Sequence, residues 1–184
     1  KRSLNGIAKH LNMSTGQDFT ELTKLLNELE KELLIYRDKS GYYHDIDNNR
    51  YEIGELDLKQ QGYGFLLLEN KPDIYIPQRK TSTAMNGDQC LVEITKQKSK
   101  MKIEGKVVKV LERKMSSIIG EYYQGQVFPK GYNLDIIFEL NHKDRKKVKD
   151  HQIIQAKIVD YSHPVVKRLQ LEDILGFASD DGIE

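Results

Sequence analysis

The chain has 184 residues, 31% charged and 38% hydrophobic, with a mean hydropathy of −0.63 and a formal net charge of +1. That balance suits several small, surface-rich modules better than one deep core, and no apolar run approaches the ~20 residues of a membrane span. The single Cys90 excludes an internal disulfide framework and suits a reducing compartment. The near-neutral charge confines any nucleic-acid signature to local patches.

The chain opens at Lys1-Arg2 without Met or a signal-like segment, so it is expected to be a fragment of a longer protein. Ser3 can cap a short helix over residues 4–11, with Leu4, Ile7, Ala8 and Leu11 on one face. After a turn, Asp18 is predicted to cap a stronger helix carrying Phe19, Leu22, Leu25, Leu26 and Leu29 at helical spacing, with Glu21 three residues beyond the cap. Residues 33–37, the turn Asp38-Lys39-Ser40-Gly41, and Tyr42-Tyr43-His44 read as a hairpin. Helix, turn, helix, hairpin is the outline of a winged helix without its first helix, covering residues 1–47. Between Asp18 and Leu34, five acids stand against Lys24 and Lys31. A helix lying in the DNA major groove needs cationic or amide side chains at the base edges. The acidic helix therefore suits a small RNA- or protein-docking module better than a DNA reader.

The linker Asp45-x-Asp47-x-Asn49 starts like a calcium loop, but Arg50 stands where Gly is needed and Leu56 where a bidentate Glu is needed, which excludes that site. A small β-barrel is expected over residues 51–113. Its second and third strands are Gln61-Gly62-Tyr63-Gly64-Phe65-Leu66-Leu67 and Asp73-Ile74-Tyr75-Ile76-Pro77. Alternation places Tyr63, Phe65 and Tyr75 on one face, and Leu66, Ile74 and Ile76 on the other. Three rings on neighbouring strands make a stacking platform for single-stranded nucleic acid, and Gly62 and Gly64 are expected to keep that face open. The rival reading, a hairpin whose aromatics fill a core, is disfavoured because the opposite face already supplies an apolar set. Residues 96–114 hold eight Lys and Arg against Glu104 and Glu112. Lys96, Lys98, Lys100 and Lys102 alternate through a polar stretch that reads as a long loop flanking the platform, where phosphates would be neutralised. A second basic run, from His142 to His151, reads as a polar turn.

The paired aromatic strings, together with Met85-Asn86-Gly87-Asp88 and the segment from Glu104 to Arg113, resemble the cold-shock domains of the ribonuclease R family, 3′-to-5′ exoribonucleases of the RNase II (RNB) group. The resemblance extends outward. The helices and hairpin resemble that family's N-terminal helix-turn-helix domain, although Leu33 stands where a Gly usually ends the helix. Ile118-Ile119-Gly120-Glu121-Tyr122 resembles the first strand of a second cold-shock domain, and Leu175-Gly176 with Ser179-Asp180-Asp181 resembles the segment leading to the catalytic domain. The fold implied is mainly β with a small α+β N-terminal part: a partial winged helix (1–47), an OB-fold barrel (51–113), a degenerate OB-fold barrel (116–176) and a connector (177–184). The second barrel is expected to be shortened and to have lost most of its platform. Only Gln126-Val127-Phe128-Pro129 stands for the first aromatic strand, Ile137 falls where the second aromatic belongs, and Phe128 and Phe138 are expected to pack inside.

The resemblance implies stacking of RNA bases on Tyr63, Phe65 and Tyr75, with Lys59, Arg79, Lys96, Lys98, Lys100 and Lys102 as phosphate contacts. Gln61 replaces a lysine common in cold-shock motifs, which removes one such contact. It further implies a cytoplasmic monomer that guides single-stranded RNA to a catalytic domain holding Mg2+, with ribosome or RNA-decay factors as further partners. Within these residues no active site, cofactor or metal site is recognised: Asp180 and Asp181 are not assigned as ligands, and His10, His44, His142, His151 and His163 form no i,i+4 pair. Two other readings stay open. One is a free-standing RNA chaperone or translation-factor-like OB protein; the other is a winged-helix transcription regulator, against which the acidic second helix counts.

Overall fold

A computed structural model describes residues 2–47, 49–99, 102–131 and 136–179. The N-terminal part consists of β1 (Arg2–Ser3), α1 (Leu4–His10), α2 (Gly16–Lys31), β2 (Ile35–Arg37) and β3 (Tyr42–Asp45), the strands pairing antiparallel in the order β1-β3-β2. Ala8, Leu22, Leu26 and Tyr43 form its core. Ser3 caps α1 as expected, its hydroxyl accepting from the Gly6 amide. The second helix starts earlier than predicted. Thr15, not Asp18, is its cap: the Thr15 hydroxyl accepts from the Asp18 amide at 3.1 Å while the Asp18 carboxylate accepts from the Thr15 amide at 2.8 Å. Asp18 is therefore the reciprocal partner in a capping box. At the other end Leu33 takes a left-handed conformation (φ 55°), with Leu34 N–H donating to Leu29 and Leu33 N–H to Glu30. The helix thus ends in a Schellman turn without glycine, at a backbone cost of roughly 1–2 kcal/mol.

The first barrel is built from β4 (Tyr51–Leu58), β5 (Gly64–Leu67), β6 (Ile74–Ile76), a single 3-10 turn (Gln78–Lys80), β7 (Gln89–Ser99) and β8 (Lys102–Glu112). It closes in the order β4-β5-β6-β8-β7 around Leu56, Leu66, Ile74, Ile76, Cys90, Val92 and Val107. One expectation is corrected here. Of the lysine stretch predicted as a loop, residues 96–99 and Lys102 belong to the far ends of β7 and β8, with Lys96 opposite Glu104 and Ser99 opposite Lys102. Residues 95–99 and 102 are exposed, so no apolar face marks them as strand. The N-terminal part docks on this barrel through Tyr36, Tyr51 and Leu91, and Lys109 Nζ donates to Glu30 at 2.8 Å across the seam.

The second barrel comprises β9 (Ser117–Tyr123), β10 (Gln126–Pro129), β11 (Ile137–Leu140), α3 (His142–Arg145), β12 (Gln152–Asp160) and β13 (Val166–Phe177), in the closed order β9-β10-β11-β13-β12. The barrel expected to be degenerate is thus complete, with Ile118, Tyr122, Val127, Phe138, Leu140, Ile154 and Leu169 in its core. Its β10 and β11, 4 residues each, are no shorter than β5 and β6 of the first barrel. The run predicted as a polar turn contains α3, whose buried Asp144 accepts from the Leu171 amide at 3.0 Å. Strand β13 runs through Phe177, into the span expected to be connector; Asp180 and Asp181 lie outside the described residues. The barrels match in detail. Asn86 Oδ1 accepts from the Leu58 amide, and Asp150 Oδ1 from the Gln124 amide. The next residue, Gly87 or His151, is left-handed in both and donates its amide to Leu56 or Tyr122.

The barrels are also locked together. Met85, on the turn before β7, is 1% exposed and sits in the core of the second barrel. Arg113 lies over the Tyr161 ring and bonds Asp88, while the Tyr161 hydroxyl donates to Met115 at 2.8 Å. Beside it Lys167 is fully buried, its ammonium donating to the carbonyls of His163 (2.7 Å) and Pro164 (3.2 Å).

Candidate nucleic-acid interface

Phe65 on β5 and Tyr75 on β6 are direct cross-strand partners, and Tyr63 stands just before β5. The three rings meet pairwise, with centroids 5.9 Å (Tyr63–Phe65), 5.8 Å (Tyr63–Tyr75) and 5.7 Å (Phe65–Tyr75) apart. They are inclined by 84°, 48° and 57° respectively, so they form one tilted cluster rather than three parallel shelves. Tyr75 is 39% exposed and the other two are half-buried, while Leu66, Ile74 and Ile76 beneath them are fully buried. The alternation thus sends the apolar set inward and the rings outward, as expected.

The glycines serve another purpose than the one expected of them. Gly64 points into the barrel, where a Cβ would lie 2.9 Å from the Asp57 carbonyl and 3.1 Å from Leu56. Gly62 is left-handed (φ +82°), and a Cβ there would meet the Gln78 side chain at 2.8 Å. They satisfy turn geometry and strand pairing and do not clear space over the rings.

Phe65 and Tyr75 form one side of a shallow groove of about 270 Å³ whose other side is the β7–β8 ribbon with Lys96, Lys98 and Lys102. None of these three lysines makes a side-chain hydrogen bond or close ion pair among the described residues. Glu104 lies in the same groove, held below the ordinary carboxylate range first by its hydrogen bond from Lys80 (2.8 Å) and also by the nearby Lys96 and Lys98. Asp73 lines it too, accepting from the Leu68 amide. The remaining candidates separate from this group. Lys59 is tied to Asp57 at 2.6 Å. Arg79 sits on the 3-10 turn, away from the groove lining. Lys100 lies outside the described residues. Lys80, whose pairing with Glu104 bounds the groove, is a residue that sequence reasoning passed over; its only local signal was its place next to Arg79.

Among the described residues the second barrel carries no counterpart of the ring cluster, for a reason the register makes plain. A Cβ on Gly54 would collide with the Leu67 carbonyl, and one on Gly120 would lie 2.6 Å from the Phe128 carbonyl, which aligns Leu67 with Phe128. With Leu66 opposite Ile74 and Val127 opposite Phe138, the places of Phe65 and Tyr75 fall to Gln126 and Glu139. The aromatic position is therefore Glu139, not Ile137, and it lies 3.8 Å from both Arg145 and Arg168. Phe138 packs inside at 2% exposure as expected, but Phe128 is 51% exposed.

Residues 54–110 match the family of ribonuclease B OB domains. The chain is 26% identical over 166 residues to ribonuclease R of Thermotoga maritima, covering 88% of this chain and 23% of that protein. It is 28% identical over 159 residues to the Aquifex aeolicus ribonuclease R, covering 84% and 22%. Over most of its length the chain is similar to ribonuclease R. Over a shorter stretch of 65 residues, 35% of this chain and 8% of the other, identity to the Escherichia coli ribonuclease R reaches 37%. The chain spans about a quarter of the length of the curated ribonuclease R sequences it matches. Among solved structures, the apo form of Mycoplasma genitalium RNase R matches with a TM-score of 0.55 at 16% identity, over 70% of this chain and 22% of that one. The same enzyme in complex with ribose methylated single-stranded RNA gives 0.53 at 17% identity with the same coverage. A yeast pseudonuclease gives 0.53 at 16%, over 85% of this chain and 24% of that one. These likenesses are of fold.

Proposed function

We propose that this chain binds single-stranded RNA as the lead-in region of a ribonuclease R-like 3′-to-5′ exoribonuclease, with hydrolysis carried out by other parts of such a protein. The observation that carries the reading is the groove, where Phe65 and Tyr75 of an outward three-ring cluster face three lysines that make no side-chain hydrogen bond or close ion pair among the described residues. Bases stack on Tyr75, Phe65 and Tyr63, each contributing about 1–3 kcal/mol. Lys96, Lys98 and Lys102 neutralise the phosphates, which makes affinity fall steeply with salt. The relative from Mycoplasma genitalium, solved with single-stranded RNA, supports the same ligand class. Among the described residues, no group of three or more His, Cys, Asp or Glu could hold a metal, so the magnesium implied by the family is assigned to none of them.

The test is a fluorescence titration of single-stranded RNA against the chain across a range of salt. Tyr63→Ala with Phe65→Ala is expected to weaken binding by about 2–4 kcal/mol while the chain stays folded. A folded variant that binds as before, or a parent chain that prefers duplex DNA, would overturn the reading.

A further inference from the structure

A second and larger concavity, about 790 Å³, opens between the β2–β3 hairpin and the first barrel. Its position relative to the rings is set by strand geometry. Glu104 on β8 lies opposite Tyr75; Lys106, two residues on, points outward along the same face and lines this cleft. Arg79 and Lys80 follow β6 almost directly and line it too. The Lys80–Glu104 ion pair (2.8 Å) stands between the ring-bearing groove and the cleft, so the two form consecutive stretches of one surface.

The charges of the cleft are unequally spent. Glu93 is taken by Arg50, and Asp47 accepts from the Asn49 amide. Asp38 accepts from His44 at 2.8 Å and from the amides of Ser40 and Tyr42. Among the described residues lining the cleft, Asp45 alone of the carboxylates lacks such a partner. Three cations are in the same condition: Lys39 on the hairpin turn, and Arg79 and Lys106 on the barrel, make no side-chain hydrogen bond or ion pair among the described residues. They stand on two opposing walls. The floor is stiff, with Tyr36 buried and His44 stacked on it at 4.8 Å and 10°.

We propose that this cleft is the continuation of the single-stranded RNA path, in which Lys39, Arg79 and Lys106 take the phosphates of nucleotides lying beyond those stacked on the rings. The inference rests on the stacking reading and extends it by giving the N-terminal hairpin a wall of the RNA site. The acidic face of α2 plays no part in it. A groove with rings alone would bind a short oligonucleotide as well as a long one. A groove that continues into the cleft gains affinity with length, until the strand spans both.

The experiment compares an RNA of about four nucleotides with one of about twelve, within the range of site sizes of such barrels, on the full chain. The variant is Lys39→Gln with Arg79→Gln and Lys106→Gln, three exposed or hairpin positions whose loss leaves the barrel core untouched, as checked by melting temperature. For the long RNA, affinity at low salt is expected to fall about tenfold or more, and the slope of log affinity against log salt to lessen by roughly 2. For the short RNA both are expected to stay as they were. Unchanged affinity and slope for the long RNA would overturn the proposal, and so would equal losses on both lengths. Tyr75→Ala is the separate control. If it leaves both lengths unaffected in a folded protein, the stacking reading fails, whatever the triple variant does.

Discussion

The guanidinium of Arg113 lies 4.1 Å over the ring of Tyr161, joining the strand that ends the first barrel to the loop before the last strand of the second. The same guanidinium donates to Asp88 at 2.7 Å and to the Thr83 carbonyl at 2.9 Å. Asp88 is fully buried and also accepts from the Met85 and Lys114 amides. Removing Arg113 therefore strands a buried carboxylate. Arg113→Ala is expected to cost about 3–5 kcal/mol in urea unfolding, and a loss under about 1 kcal/mol would show that the pair is dispensable.

The two phenylalanines of the second barrel should part company. Phe138 is 2% exposed in the core, and Phe138→Ala is expected to cost about 3–5 kcal/mol. Phe128 is 51% exposed, so Phe128→Ala should shift stability by no more than about 0.5 kcal/mol. Thermal melts of the two single variants measure the contrast directly.

Acid should weaken the N-terminal part through Asp18. The Thr15 and Ser14 amides hold its carboxyl below the ordinary 3.8, so the folded form takes up a proton less readily than the unfolded one. Its contribution is complete above that ordinary value and is lost as pH falls through the lowered one. Asp18→Asn is expected to flatten the acid limb of a stability profile below about pH 4. At neutral pH, Thr15→Ala should cost about 1 kcal/mol by removing the helix cap.

Space inside the first barrel sets a further expectation. A Cβ on Gly105 would collide with Val92 Cγ1 and sit 2.8 Å from Ile74 Cγ2. Gly105→Ala should destabilise the chain by about 1–3 kcal/mol through overpacking. A melting temperature unchanged from the parent would mean that β8 can shift without cost.

What the amino-acid pattern disclosed was whatever burial writes into it. Leu66, Ile74 and Ile76 alternate with Phe65 and Tyr75, and that period of two placed the rings outward correctly. Features without a burial signature escaped. Residues 96–99 of β7 and Lys102 of β8 are strand with exposed side chains, so nothing apolar marks them. The cap at Thr15 is hidden because Asp18 is equally suited to be a cap or the partner of one. Ile137 reads as the aromatic position because pairing partners are invisible in a single strand; only the opposition of Val127 and Phe138 moves that place to Glu139. Leu33 hid a left-handed turn behind a residue that seldom adopts one.

Met85 belongs to the first barrel by chain position and to the second by packing. The second barrel therefore completes its core with part of the first. Heating such a pair should produce a single cooperative transition, not two staggered ones, because opening the first barrel withdraws Met85 from the core of the second and opening the second exposes that methionine and strips Arg113 of the Tyr161 ring. It follows that the stretch between Glu112 and Ser117, where one barrel's strands end and the next one's begin, is a poor place to cut the chain: the first barrel alone would hold its methionine out to water, and the second would be left with a cavity of that side chain's shape.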